Sequence, residues 1–368
     1  MNSTRGHAVI RDAVVVILIV AGLFVAIEGA VRVFWPQKLE TDYLGGPSIA
    51  VYDERLGHML RPGARSTVSG PEYAVDFRIS EQGLRDEVHH ALPKPAGTTR
   101  ILVLGDSFAY GTGNEYGDIW PVLLERSLQA DGRAIEVVKA GVPAYDTRTE
   151  ILYLERIFSS YDPDIVLVTL LPNDLFTNMP IDADLTGHEP PTEGISEKGA
   201  DLHSVILAKR MLMANDWLYG KLYVMTKRRE YFVSPPTAAV RGQIEVTKAL
   251  LERAQAFCRK KDCELAVLSI PQQFQVLVPD RGEALGVDVG AVDEEFATFA
   301  AEQGFTWLAA LPSLRKVYQD EGENLFFRFD GHLTKRGNQA VAEFLGPALV
   351  ARFGDLLKPR QPAPAGSV

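Results

Sequence analysis

Two hydrophobic patterns alternate along the chain after residue 98. Short, almost continuous apolar runs recur there, and amphipathic stretches with a helical period separate them. Uninterrupted apolar runs of this length are typical of parallel strands that are buried on both faces of a sheet. The runs predict five strands, at residues 100–104, 135–138, 164–171, 263–270 and 305–308.

The amphipathic stretches predict the helices that cover this sheet. They lie at about residues 119–130, 151–158, 246–260 and 335–353. Strands that alternate with helices form an open, mostly parallel sheet with helices on both faces. The pattern therefore predicts an α/β fold of the doubly wound, flavodoxin-like type, contained in one domain at residues 99–355.

Two segments interrupt the alternation between the third and fourth predicted strands. Residues 180–201 are rich in Asp, Glu, Gly and Pro and predict a long loop, whereas residues 206–232 follow a helical pattern rich in Met and aromatic side chains. We interpret residues 176–240 as a helical insertion. Its apolar side chains fit three roles: a lid over an acyl pocket, a surface that rests on the membrane, or ordinary helix packing.

The regions outside this domain have other patterns. The polar segment at residues 36–98 contains an alternation of apolar and polar residues at 73–79, followed by a turn near residues 81–83. It predicts a small β-rich lead-in that packs on the main domain. The Pro- and Ala-rich segment at residues 356–368 predicts a disordered tail.

An apolar run dominates the N-terminus. Residues Ala13 to Ile27 carry no charge, and a helix that continues to Trp35 is about long enough to cross a bilayer. Two arginines precede the run, as expected for a cytoplasmic segment at residues 1–12. We therefore predict a single-pass membrane anchor at residues 13–35.

A cleaved signal peptide is the alternative for this segment. A charged start, an apolar centre and the small residues Gly29 and Ala30 are all present. Glu28 favours the anchor, because it occupies the position where cleavage after Ala30 would require a small residue. Both interpretations place the body of the protein outside the cytoplasm, in a periplasmic or extracellular location.

Composition narrows the classes of function. With 46% hydrophobic and 23% charged residues, the 368-residue chain has ample apolar material for one large core. Its formal net charge of −10 argues against binding to nucleic acid, which requires a basic surface. We interpret the histidine pair His89 and His90 as a solvated surface run, because no ligand set for a metal accompanies it.

The two cysteines, Cys258 and Cys263, are separated by four residues. In an oxidising compartment they could bridge the turn between a helix and the following strand. Two unrelated thiols fit the sequence equally well, and no nearby histidine indicates a zinc site.

Reactive residue types follow the first three predicted strands. Ser107 follows the first strand in the motif GDSF, Gly141 follows the second, and Asn173 follows the third in the motif PND. The carboxyl ends of parallel strands meet at one edge of an open α/β sheet, where ligands bind. A nucleophilic hydroxyl, a backbone N–H and an amide side chain at this edge are the parts of an oxyanion hole.

A base for the serine is expected from a late loop. Asp330 and His332 directly precede the last predicted helix. A neutral imidazole takes the proton of a serine hydroxyl, and a carboxylate on its other nitrogen fixes the tautomer and stabilises the imidazolium. Each of these residue types is most often structural when it occurs alone, but the order and positions of the four motifs together indicate a catalytic site.

At these residues the chain resembles the SGNH (GDSL-like) hydrolase family, which is named after its Ser, Gly, Asn and His blocks. The resemblance implies a doubly wound α/β fold with a catalytic triad of Ser107, His332 and Asp330. It also implies an oxyanion hole formed by Ser107 N–H, Gly141 N–H and Asn173 Nδ2. The reaction of this family needs no metal or other cofactor.

The chain departs from the family pattern in the last block. Asp330 lies two residues before His332 instead of three, and Phe329 fills the usual aspartate position. This D-x-H block is similar to that of membrane-anchored bacterial SGNH-like proteins and related polysaccharide acetylation proteins. Several of these also have a segment that resembles residues 77–85, which implies that the lead-in belongs to the same unit.

The resemblance implies a serine-dependent ester hydrolase that acts through an acyl-enzyme on Ser107. Given the predicted location, we expect it to remove O-acyl groups from an envelope or exported polysaccharide, with a lipid ester as another substrate class. Two alternatives stay open: a polysaccharide O-acetyltransferase with the same site, and an inactive anchored glycan-binding module. The expected partners are an acylated carbohydrate or lipid ester and the membrane; no cofactor is implied.

Overall fold

The structure begins with one long helix and two short hairpins. The computed structural model describes residues 2–37, 49–70, 72–183, 202–278, 280 and 282–358. Its first elements are the helix α1 (Asn2–Phe34) and the antiparallel pairs β1 (Ala50–Asp53) with β2 (Gly57–Leu60) and β3 (Arg65–Ser69) with β4 (Ala74–Arg78). In β4 exposed and buried residues alternate, as the pattern at 73–79 predicts.

A five-stranded parallel sheet forms the centre of the main domain. Its strands are β5 (Thr99–Gly105), β6 (Ile135–Gly141), β7 (Ile165–Leu170), β8 (Glu264–Ser269) and β9 (Thr306–Ala309). They lie in the order β6–β5–β7–β8–β9, and all neighbouring pairs are parallel. This is the doubly wound, flavodoxin-like order, so the predicted α/β fold is confirmed.

Helices cover both faces of this sheet, because successive side chains of each buried strand point in opposite directions. Leu102 and Leu104 of β5 pack into one core, whereas Ile101 and Val103 pack into the other. The helices after α1 are α2 (Ser107–Tyr110), α3 (Trp120–Ala130), α4 (Thr147–Tyr161), α5 (Asp174–Thr177), α6 (His203–Met213), α7 (Asp216–Val224), α8 (Ala238–Lys261), α9 (Gln273–Leu277), α10 (Ala291–Gln303), α11 (Leu311–Glu321) and α12 (Lys335–Phe353).

The observed elements differ from the predicted ones mainly in extent. α12 has the predicted bounds, and each predicted strand overlaps one strand of the sheet. α10 and α11 were not predicted. α10 buries only Phe296, Phe299 and Ala300, so its apolar residues do not repeat along the whole helix. A short buried stripe of this kind gives a weak helical signal.

The predicted insertion contains α6, α7 and a short 3₁₀ helix (Lys227–Phe232), and α8 begins within its last three residues. Residues 184–201 of the predicted loop and residues 359–368 of the predicted tail lie outside the described residues. At the N-terminus, Arg11–Phe34 of α1 is long and apolar enough to cross a membrane.

The interpretation of His90 as a solvated residue is wrong. His90 is 1% exposed, and its Nε2 lies 2.8 Å from Asp86 Oδ2. The same carboxylate accepts a hydrogen bond from Tyr116 Oη at 2.6 Å and lies 3.3 Å from Lys139 Nζ. These partners come from separate segments, so the local sequence gives no sign of the network. His89 is exposed, as expected.

Cys258 and Cys263 are free thiols, so no disulfide joins them in this structure, although the two side chains are close to each other. A hydrogen bond with Cys263, together with burial, raises the pKa of the Cys258 thiol. A thiol that stays protonated is a poor nucleophile, so Cys258 is a structural residue of the core.

Candidate active site

Ser107 occupies the turn between β5 and α2, at the carboxyl end of the sheet. Asp106 caps α2, since its Oδ1 accepts a hydrogen bond from Phe108 N at 2.8 Å. The turn packs closely on the neighbouring strand: a Cβ on Gly141 would lie 2.5 Å from Tyr110 N. The absence of a side chain at Gly141 therefore allows α2 to lie directly on β6 and fixes the position of Ser107.

His332 lies between Ser107 and Asp330. Its Nε2 is 2.7 Å from Ser107 Oγ, and its Nδ1 is hydrogen-bonded to Asp330 Oδ1. His332 N also donates to Asp330 Oδ1 at 3.2 Å. The structure thus brings together the three residues of the predicted triad, in the order of hydroxyl, imidazole and carboxylate that activation of a serine requires.

Gly331 explains how a carboxylate only two residues before a histidine reaches its ring. Its φ is 86°, a left-handed conformation that favours glycine. The turn around it is closed by hydrogen bonds from Gly331 N to Phe327 O at 2.9 Å and from Phe327 N to His332 O at 2.8 Å. The shortened D-x-H spacing is therefore compatible with contact between the carboxylate and the imidazole.

The lead-in supports this loop from the side. The Glu72 carboxylate accepts hydrogen bonds from the backbone N–H groups of Arg328, Phe329 and Asp330 at 2.7, 2.9 and 3.1 Å. Tyr73 Oη donates to Asp330 Oδ2 at 3.0 Å. Sequence reasoning missed both residues, because the contacts join positions more than 250 residues apart. The only sequence signal for a role of these two residues was that the segment 77–85, which follows them, resembles a segment of other anchored proteins.

A further residue of the lead-in holds the end of α2. Arg85 Nη1 donates to Tyr110 O at 2.6 Å and to Gly111 O at 2.8 Å. Burial lowers the pKa of Arg85 to about 10, so its guanidinium is still charged at neutral pH. The lead-in therefore contacts both the nucleophile turn and the histidine loop.

The contacts of Asp330 determine its charge. Burial raises the pKa of this carboxyl, but the hydrogen bond and positive charge of His332 and the hydroxyl of Tyr73 outweigh burial. As a result the pKa of Asp330 lies below its usual value of 3.8. Asp330 is therefore ionised at neutral pH and favours the imidazolium form of His332 during attack.

Asn173 and Gly141 lie at different positions relative to Ser107. Asn173 lines the same cavity as Ser107, and its Oδ1 accepts a hydrogen bond from Gln272 Nε2 at 3.2 Å. Gln272 thereby fixes the Asn173 amide with its Nδ2 as the donor group. Gly141 is absent from the described residues that line the cavity and instead packs beneath α2.

Three buried carboxyl groups lie close to one another under the nucleophile turn: Asp106, Glu150 and Asp174. Burial is the main cause of a raised pKa in each, and the charge of Asp106 further raises the pKa values of Glu150 and Asp174. The pKa of Asp106 rises to about 6, and those of Glu150 and Asp174 lie well above their usual values. Burial therefore favours the protonated, uncharged forms of Glu150 and Asp174.

The triad and Asn173 face a polar cavity of about 300 Å³. It contains a nucleophile, a base and an amide donor within one space, which are the groups that acyl transfer requires. In the part of the chain that the structure describes, no group of three His, Cys, Asp or Glu side chains could hold a metal ion. The arrangement therefore fits acyl transfer to and from Ser107 Oγ.

Among proteins of known function, the chain is 27% identical over 124 residues to an arylesterase from Vibrio mimicus. The match covers 34% of this chain and 59% of the Vibrio protein, so the chain spans less than two thirds of that relative. Similar solved structures include TesA, with a TM-score of 0.41 and 15% identity over 68% of this chain and 98% of TesA. The psychrotrophic esterase EstA from Pseudoalteromonas sp. has a TM-score of 0.42 and 12% identity over 70% and 99% of the two chains.

The sequence model of the GDSL-like Lipase/Acylhydrolase family matches residues 103–340, which is most of the chain. The matched region begins within β5 and ends within α12, so it includes Ser107, Asn173, Asp330 and His332. The resemblance inferred from the four motifs is confirmed: the chain belongs to the GDSL-like lipase/acylhydrolase family of ester-hydrolysing enzymes.

Proposed function

We propose that the protein is a serine-dependent ester hydrolase that forms an acyl-enzyme on Ser107. The observation that carries the proposal is the continuous chain of contacts from Ser107 Oγ through His332 to Asp330. The ionised carboxylate of Asp330 orients the ring so that Nε2, which faces Ser107, is the proton acceptor.

In the first half of the reaction, Ser107 Oγ attacks the ester carbonyl while its proton moves to His332 Nε2. The C–O bond to the alcohol then breaks, and His332 returns the proton to the departing alcohol. In the second half, His332 takes a proton from water, the resulting hydroxide attacks the acyl-enzyme, and Ser107 regains its proton as the acid leaves. Asn173 Nδ2, Ser107 N–H and Gly141 N–H are the proposed donors to the oxyanion, and Asn173 and Ser107 line the cavity.

We also propose that α1 is an uncleaved membrane anchor and that the catalytic domain lies outside the cytoplasm. Two observations support an anchor that stays attached. Arg11–Phe34 is long and apolar enough to span a membrane. In addition, Glu28 near its end accepts hydrogen bonds from His203 N at 3.0 Å and Ser204 N at 2.8 Å, which ties α1 to α6.

An extracytoplasmic location favours an ester of the cell envelope as the substrate. An O-acylated polysaccharide is the class expected from the sequence, and it is supported by the location and by the resemblance to anchored bacterial proteins. The cavity at Ser107 is polar and has room for a sugar hydroxyl as the alcohol. The space beside this cavity is relevant to the acyl portion of the substrate.

The test of the proposed function is hydrolysis of p-nitrophenyl acetate by the full chain in nanodiscs. Ser107→Ala and His332→Ala should each lower kcat/KM by about 10³-fold or more, because the members of a triad act as one unit. Ser127→Ala, which changes an exposed serine on α3, is the matched control and should retain full activity. A Ser107→Ala protein that is as active as the wild type would rule out the proposed nucleophile.

A further inference from the structure

An elongated groove of about 620 Å³ opens beside the catalytic cavity. It lies between the insertion helices α6 and α7 and the loop at residues 328–331. The groove and the catalytic cavity are continuous, because they share six lining residues: Tyr219, Tyr223, Arg228, Gln273, Asp330 and Gly331. A ligand that reaches Ser107 can therefore extend into the groove.

The groove becomes apolar as it leads away from the triad. Val205, Ala208, Leu212 and Met213 of α6 line it, as does Leu222 of α7. A space of several hundred Å³ with a mainly apolar lining and polar groups at one end fits a ligand with a hydrophobic tail. The polar end of the groove is the end that adjoins the catalytic cavity.

Phe329 contributes the opposite wall of the groove, and it stands immediately before Asp330. The Arg210 guanidinium lies 5.4 Å from the centre of its ring, and Arg328 Nη1 lies 2.8 Å from Asp216 Oδ1. These contacts fasten α6 and α7 to the catalytic loop. Phe329 occupies the position where the final motif of the family usually has its aspartate, and here it forms part of the apolar wall of the groove.

The far end of the groove lies next to the proposed membrane anchor. Glu28 of α1 accepts hydrogen bonds from the N–H groups of His203 and Ser204, the first two residues of α6. His203 Nδ1 in turn accepts from Gln37 N at 2.8 Å, just beyond α1. α6 therefore begins beside the last two turns of α1, and we infer that the insertion lies close to the membrane surface.

The outer surface of the insertion is apolar and basic. Among the described residues outside α1, twelve large hydrophobic residues are exposed, and six of them lie in or beside α6 and α7: Val205, Met211, Leu212, Trp217, Leu222 and Met225. Val205, Leu212 and Leu222 also line the groove. Trp217 is 66% exposed and Met225 is 82% exposed. Lys209 and Lys221 lie on the same helices, although the whole chain has a net charge of −10. Exposed apolar side chains with neighbouring cations are typical of surfaces that rest on anionic bilayers.

We propose that the groove binds the acyl chain of a membrane-resident lipid ester. The chain enters from the bilayer along α6 and α7, and the ester carbonyl then lies at Ser107 while the headgroup occupies the polar cavity. This inference rests on the proposed function, since it assigns the substrate class of the same site. It selects a long acyl chain over the acetyl group of an acetylated polysaccharide.

The first test compares p-nitrophenyl decanoate with p-nitrophenyl acetate, using the full chain in nanodiscs. The wild type should have at least a tenfold higher kcat/KM for the decanoate. Ala208→Trp places a large ring in the groove and should lower the ratio of the two kcat/KM values at least tenfold. Ala214→Trp, at an exposed position on the end of α6 that does not line the groove, is the matched control and should leave this ratio unchanged.

A wild type that prefers the acetate, or a ratio that Ala208→Trp does not alter, would overturn the inference. If the protein then still hydrolyses p-nitrophenyl acetate and this activity depends on Ser107, the proposed function stands. The acetylated polysaccharide would then again be the favoured substrate. Failure of the inference and failure of the proposed function are thus separate results.

The second test does not depend on catalysis. A Ser107→Ala protein in nanodiscs that contain a phospholipid with a diazirine-bearing acyl chain is irradiated, and the labelled peptides are identified by mass spectrometry. Labels are expected on the groove segments at residues 205–213 and 328–331. Ala208→Trp should reduce them at least fivefold relative to Ala214→Trp. Labels confined to α1, or labels of equal yield in both variants, would overturn the inference.

Discussion

The two sides of the proposed catalytic centre are held in different ways. Ser107 lies at the end of a strand whose side chains are buried, and close packing of glycine against backbone fixes its position. His332 and Asp330 lie on a partly exposed loop, which is supported by hydrogen bonds that Glu72 accepts and that Tyr73 donates. The nucleophile side is therefore part of the core, whereas the base side is fastened to a separate hairpin.

This difference predicts two kinds of defect. A change on the nucleophile side should lower the free energy of unfolding, because the groups around it cannot move apart without disturbing the sheet. A change on the base side should lower the rate and leave the stability nearly unchanged, because a loop can shift by a few tenths of an ångström at little cost. The following variants test this distinction.

The largest effect is expected from Asp330→Asn. The amide cannot stabilise the imidazolium and favours the wrong tautomer of His332, so kcat/KM should fall by about 10³-fold. The melting temperature should stay within about a degree of that of the wild type. Steady-state kinetics and thermal unfolding provide the two measurements. Asp320→Asn on the surface of α11 is the control, and an equal loss of activity there would contradict the assignment.

Gly141→Ala should damage the other side of the site through stability. Its Cβ would lie 2.5 Å from Tyr110 N and 2.7 Å from Ala109 C, both backbone atoms, and overpacking of this kind costs about 2 kcal/mol. Chemical denaturation measures the change. Gly242→Ala is a matched control for which we expect the opposite sign. Gly242 lies inside α8, and no heavy atom is within 4 Å of the position that a Cβ would take. The free energy of unfolding should therefore increase by about 0.5–1 kcal/mol. Equal effects from the two variants would refute the packing argument.

Glu72→Ala should lower kcat/KM by about tenfold, which corresponds to about 1.4 kcal/mol in the transition state. The variant leaves three backbone N–H groups of the Asp330 loop without their acceptor. Glu72→Gln keeps one acceptor oxygen and should recover part of the activity. Glu87→Ala, at an exposed position of the same lead-in, should match the wild type. If Glu72→Ala instead lowers the melting temperature and keeps the rate, the hairpin stabilises the fold without positioning Asp330.

The last effect concerns Asp106 and depends on pH. Burial raises the pKa of this carboxyl from 3.8 to about 6 in the folded protein. A carboxyl whose folded-state pKa is raised binds its proton more tightly when folded, so its contribution to stability falls as the pH rises from about 4 to 6. Relative to the wild type, Asp106→Asn should therefore melt about 4 °C higher at pH 7.5 than at pH 4, because a pKa raised by about 2 units corresponds to about 2 kcal/mol over this range. A difference in melting temperature that is the same at both pH values would show that Asp106 keeps its usual pKa.

Much of the fold could be predicted because its signal is local. The apolar runs of β5, β7 and β8 are continuous since both faces of each strand are buried, and α12 has a clear start at Thr334, whose side chain caps Gly337 N. α10 was missed because only one short stripe of it is buried. His90 was misinterpreted because, although Asp86 is close in the sequence, the other members of the buried network, Tyr116 and Lys139, are distant from it.

The same division applies to the catalytic centre. Ser107, Asn173 and His332 could be predicted because each follows a strand or precedes a helix whose pattern is local. Glu72 and the apolar groove could not, because a carboxylate in a hairpin turn has no distinctive neighbours, and a groove arises only when α6 and α7 pack against Phe329. Interactions between segments that are distant in the sequence could be identified only in the structure.

The hairpin formed by β3 and β4 has a practical consequence for truncated versions of this enzyme. A recombinant fragment that covered only the matched family region, residues 103–340, would keep Ser107, Asp330 and His332 but lose Glu72 and Tyr73. Such a fragment would retain every residue of the triad and still lack the hairpin that aligns it. The smallest unit to transplant or express for full activity therefore begins before the hairpin.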